Sequence, residues 1–109
     1  MGLFNFFKKE VKTEIPLNTA VFTTERIIRE NALITRIYHS SDNYFSFMDN
    51  YSENTNEDIM VVSLGNILER DNSVKQTLNI PVLHYAYRKS LTDNWEIAAY
   101  VEDDEDDDS

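Results

Sequence analysis

The chain has 109 residues, a formal net charge of −10, 41% hydrophobic and 12% aromatic residues, two glycines and no cysteine. That length suits one domain with one core, and the apolar content is too high for a chain disordered throughout. The absence of cysteine excludes a disulfide framework, a thiolate metal site and a cysteine nucleophile, and two glycines are too few for a phosphate-cradling or dinucleotide-binding loop.

The first residues, GLFNFFKKEVK, place Leu3, Phe4, Phe7 and Val11 at helical spacing, with Phe6 beside that stripe and Lys8, Lys9 and Lys12 toward the polar side. Residues 1–15 are therefore expected to form an amphipathic helix that docks on the sheet of the chain or on a partner. A helix of about ten residues with so little charge binds lipid weakly without an acyl chain. Phe6 stands where a myristoylation motif requires Ser or Thr. There is no apolar run long enough for a membrane span and no basic-then-apolar leader, so the expected location is the cytoplasm, off the membrane.

Pro16 opens the main domain, expected over residues 16–101. Ala20 to Thr23 is β-prone, and Thr23 or Thr24 can cap a short helix through Asn31 that buries Ile27 and Ile28. Ala32 to Tyr38 and Tyr44 to Met48 read as a hairpin around a Ser-Ser-Asp-Asn turn. Ile59 to Val62 reads as a strand, and Ser63 caps a helix that presents Leu64, Ile67 and Leu68 on one face. Asp71-Asn72 breaks that helix, and Ser73 with Gln76 suggests a capping box for a second short helix with Val74 and Leu78 on its next turn. Pro81 then blocks continuation, and Val82 to Arg88 and Trp95 to Val101 flank a polar loop as a closing hairpin. In the last strand Trp95, Ile97, Ala99 and Val101 alternate with Glu96, Ala98 and Tyr100, one set toward a core and the other wetter. Short loops between adjacent strands imply an α+β fold, a single domain whose mainly antiparallel sheet is covered by short helices, with Ile27, Ile67, Leu68, Ile97 and Val101 in its core.

Seven of the twenty acidic residues fall in Glu102 to Asp108, so residues 102–109 are expected to be a solvated, disordered tail, serving solubility or contacting a basic partner. Its sign disfavours nucleic acid as a partner.

Chemistry fares poorly along the rest. Ser63-Leu64-Gly65 sits at a strand-to-helix turn, yet Val61 occupies the position where a nucleophile elbow needs glycine. His39 and His84 are the only histidines and lack carboxylates at ligand spacing, so no metal, cofactor or catalytic residue is expected. Read as a calcium loop from Asp49, the chain has Asn54 at the glycine position and Met60 at the last ligand position. What remains is DNYFSFMDNYSENTNED, residues 42–58, where rings lie beside acids on an expected connection. Two readings stay open: alternating core and surface residues with a solvated loop, or a protein interface, with Tyr44, Phe47 and Tyr51 as apolar anchors and Asp49, Glu53, Glu57 and Asp58 as a charged rim.

The runs AVFTTERIIRENALITRIYHSSDNYFSFMD and VVSLGNILERDNSVKQTLNIPVLHYAYRKSLTDNWE resemble a small bacterial family of immunity proteins, the thirty-third class, formerly a domain of unknown function, found beside polymorphic toxins. Leu64, Ile67, Leu68, Asp71, Pro81 and Arg88 fall on the family's pattern, while Asn43-Tyr44 stands where it has Gly-Trp. The resemblance implies a non-catalytic protein that neutralises a cognate toxin by binding it, with Asp71, Pro81 and Arg88 in structural roles. A regulatory or scaffold interaction domain is the alternative.

Overall fold

A computed structural model describes residues 15–50 and 58–102. The amphipathic segment before Ile15 and the acidic tail beyond Glu102 lie outside the described residues, as do Tyr51, Glu53 and Glu57.

Strand β1, Ala20–Thr24, runs straight into helix α1, Glu25–Glu30. Thr24 is the residue that caps it: its hydroxyl accepts from Ile27 N at 3.1 Å. Asn31 ends the helix in the left-handed region at φ 58°, a conformation its short polar side chain tolerates. The expected strand from Ala32 is regular only as β2, Arg36–His39. Ile34 and Thr35 are still buried, because Thr35 N donates to Met48 O and Arg88 N donates to Thr35 O beyond the regular ladder.

The turn from β2 to β3, Phe45–Met48, is closed by Ser40 N to Tyr44 O and Asn43 N to Ser40 O, both 2.9 Å, with Asn43 at φ 71°. A short hairpin loop with one left-handed residue suits asparagine. Strand β4, Ile59–Ser63, leads into helix α2, Leu64–Arg70, where the Ser63 hydroxyl accepts from Asn66 N at 3.1 Å. Ser63→Ala should therefore lose about 1 kcal/mol in urea unfolding, the ordinary worth of such a cap.

The next turn differs from the expected capping box. A 3-10 helix covers Asn72–Thr77, and its cap is Asp71, which accepts from Ser73 N at 3.0 Å. A carboxylate two residues before an unpaired N–H satisfies it more directly than the Ser73 and Gln76 pair could. Strand β5, His84–Tyr87, starts two residues later than expected, after Leu83 takes φ 63° while donating to His39 O. Strand β6, Glu96–Ala99, completes the hairpin.

Among the described residues the strands form a six-stranded mixed sheet in the order β4-β1-β3-β2-β5-β6. Four of the five pairings are antiparallel, and β1 with β3 is parallel. One register row runs Met60, Thr23, Phe47, Ile37, Ala86, Ile97 across the sheet. Its four central members are fully buried beneath Ile27, Leu64, Ile67 and Val74, which the helices supply. The fold is thus α+β around one continuous core, as expected, with Ile27 and Ile67 inside it and Leu68 packed against it.

Two expected core residues are not in it. Ile97 lies on the core face but is 53% exposed, and Val101 is 91% exposed. Strand β6 is the sheet's edge, beyond the helices' reach, so a correctly oriented side chain still meets water.

Candidate functional site

Alternation along each strand puts a second row on the opposite face: Val61, Phe22, Ser46, Tyr38, Tyr85 and Ala98, one residue from each strand in sheet order. No member of this row is buried, even on the central strands, whereas the central residues of the core row are fully buried. The helices cover one side of the sheet, and no described element packs on the other.

That uncovered side is aromatic. Tyr38 and Tyr85 stack at 5.3 Å between centroids, Tyr85 and Tyr87 at 5.4 Å, and Tyr100 meets Tyr38 edge-on at 5.4 Å. Tyr44 packs edge-on against Phe22 at 5.6 Å. Five of the chain's six tyrosines therefore share one face, and the sixth, Tyr51, lies outside the described residues.

Charge collects at one margin of the patch. Glu102 accepts from Ser41 N at 3.0 Å and Ser41 Oγ at 2.7 Å, and Tyr100 Oη lies 3.4 Å from its carboxylate. The hydrogen bonds from Ser41 hold the Glu102 carboxyl below the usual range, so it stays charged. Burial pushes the Tyr100 phenol up, the Glu102 charge adds to this, and Tyr100 remains a neutral donor. Six more acids follow directly in the sequence. Glu102, expected as part of the free tail, is thus exposed but tied down. Arg36 and Glu96 border the face with opposite signs, on either side of Tyr87 in the register.

The residues expected to form the interface separate. Tyr44 is 50% exposed and belongs to the aromatic face. Phe47 is 0% exposed and cannot be an exposed anchor: it points to the helix side, where it lies opposite Ile37 and Thr23. Asp49 is not a rim charge either, being 2% exposed. Its carboxylate accepts from Thr24 Oγ1 at 3.0 Å and lies 3.7 Å from Arg26 Nε, while Arg36 Nη2 donates to its carbonyl at 2.6 Å. Period-two alternation forces this split, because Phe47 and Asp49 share parity with the core and Tyr44 does not. Asp58 is half-buried just before β4, and Tyr51, Glu53 and Glu57 lie outside the described residues. Sequence reasoning missed Phe22, Tyr38, Tyr85, Tyr87 and Tyr100. The available signal was the alternating HYAY run, with Tyr38 and Tyr100 at matching parity in their own strands.

The remaining polar clusters hold the fold. Arg88 is buried and forms an ion pair with Asp71, donates from Nε to Ile34 O at 3.0 Å and from Nη1 to Ser73 Oγ at 2.9 Å, and lies 4.1 Å from the Trp95 ring centroid. His39 is buried and stacked on Phe45. Its Nδ1 donates to Ile80 O at 2.8 Å and its Nε2 lies 2.6 Å from the Asn43 carboxamide, so both ring nitrogens are engaged. Among the described residues no group of three or more His, Asp or Glu is placed to hold a metal ion, and no helix is long and apolar enough to cross a membrane.

Comparison with known proteins finds no family model, no curated protein and no solved structure that matches this chain.

Proposed function

We propose that the chain is a non-catalytic binding domain, acting in the cytoplasm, that grips a basic protein partner with its tyrosine face, as an immunity protein grips a toxin. One observation carries the reading: a contiguous set of tyrosines on a sheet face that the helices leave uncovered. Tyrosine supplies large contact area at low entropic cost, with a hydroxyl at the rim for hydrogen bonding, and it is enriched among residues that dominate binding energy. A typical partner buries about 800 Å² per side, which a six-stranded sheet face can provide. The acids from Glu102 onward, leaving beside Tyr100, favour a basic surface and would speed its approach. The toxin as partner rests on the family resemblance.

The test begins with copurification from the native host and identification of the bound protein. Tyr38→Ala and Tyr85→Ala should each weaken the complex by about 2 kcal/mol or more, a factor of about 30 in Kd. Neutralising the acids after Tyr100 should mainly slow association and flatten its salt dependence. Unchanged affinity in both tyrosine variants would sink the face as the binding site. A partner without toxic activity would keep the face and remove the immunity role.

A further inference from the structure

The side of the sheet away from the tyrosines carries a groove of about 650 Å³, walled by Ile15, Leu17, Leu64, Leu68 and Leu78 with Gln76 at its rim. We infer that this groove seats the chain's own N-terminal segment, with Leu3, Phe4, Phe7 and Val11 facing its aliphatic wall. The position of Ile15 is the main reason. Ile15 and Leu17 are themselves part of the wall, so the fourteen preceding residues start at the groove's mouth.

The entry is fixed on the helix side. Gly65 N donates to Leu17 O at 2.9 Å and Leu64 N donates to Thr19 O at 2.8 Å, which pins the turn that precedes β1 against the start of α2. Residues 12–14, extended, reach about 10 Å. That is enough for a helix over residues 3–11, about 13 Å long, to turn back along α2. The tyrosine face, by contrast, lies on the other side of the sheet from Ile15, and the segment would have to pass round an edge to reach it.

The chemistry of the wall matches the stripe. Leu17 is largely exposed, Leu68 and Leu78 are half-buried, and the polar residues that complete the lining, Lys75, Gln76 and Asn79, are exposed. Four apolar side chains at helical spacing are the complement such a groove lacks.

The absence of native cysteine makes the test direct. In the full-length chain, Lys8→Cys is paired with Gln76→Cys on the groove rim or with Tyr44→Cys on the sheet's other face. Oxidation should close an intramolecular disulfide at the monomer mass at least about tenfold faster for the groove pair, as held proximity raises effective concentration. Adding Phe7→Asp should bring the groove pair down to the rate of the Tyr44 pair. Asn79→Cys, also exposed, replaces Gln76→Cys if the 3-10 helix is disturbed. Equal rates for the two pairs would overturn the inference. So would faster closure onto Tyr44, which would put the segment on the tyrosine face, or products at dimer mass alone, which would make the occupant a second copy.

Discussion

Asp71→Ala is expected to cost about 3–5 kcal/mol of folding stability, the loss usual when one member of a buried ion pair is removed. The variant would leave the Arg88 guanidinium, whose side chain is 1% exposed, among Trp95, Ile34 and Ser73 with no counter-charge. It would also uncap the 3-10 helix at Ser73 N. In a domain of this size such a loss lowers the Tm by about 15 °C or more. The dependence on pH has a definite sign. Burial by itself raises the Asp71 carboxyl, but hydrogen bonds from Ser73 and Arg88 and the Arg88 charge outweigh it, so its value falls below the ordinary 3.8. A depressed carboxylate contributes stability that is fully present above its unfolded value and is lost as pH falls through the folded one. The gap between wild type and Asp71→Ala should be complete at neutral pH and shrink below about pH 4. Urea unfolding at several pH values measures it. A gap under about 1 kcal/mol at pH 7 would reduce the pair to the worth of a surface contact.

Phe47→Ala and Tyr44→Ala, three residues apart, should behave as opposites. Phe47 is fully buried in the centre of the core row, and its truncation should cost about 3–5 kcal/mol through lost burial and a residual cavity. Tyr44 is half exposed on the other face, in contact with Phe22, and its truncation should cost about 1 kcal/mol or less in the free protein. If the tyrosine face binds, Tyr44→Ala weakens the complex while the protein remains folded. Thermal unfolding of the two free variants separates the roles without any partner. Equal destabilisation would mean that the Tyr44 face is packed in the free protein, and would count against an interface there.

The contrast between Phe47 and Tyr44 also shows why residues 42–58 misled sequence reasoning. Rings and acids close together in DNYFSFMD look like one surface, yet a strand sends successive side chains to opposite faces. Tyr44 went to the open side, and Phe47 and Asp49 to the packed one. The aromatic face draws instead on four strands distant in sequence, through Phe22, Tyr38, Tyr85 and the residue after β6, Tyr100.

What the sequence determined by itself was local and short in range. Ser63 could be placed as a helix cap, and the first cap narrowed to Thr23 or Thr24, because a hydroxyl reaches a free N–H three residues on, whatever lies elsewhere in the chain. Asn43 in the hairpin turn, the approximate places of the strands and the facing of Ile97 followed from the same local rules. Strand order, by contrast, depends on pairings between residues far apart, such as Thr23 with Phe47 or Ile37 with Ala86. That order made β6 an edge and left Ile97 exposed, and it put the described helices on one side. It gathered five tyrosines on the other side, because which face is covered is settled by where distant helices find room to bury their apolar stripes, a quantity no single segment contains.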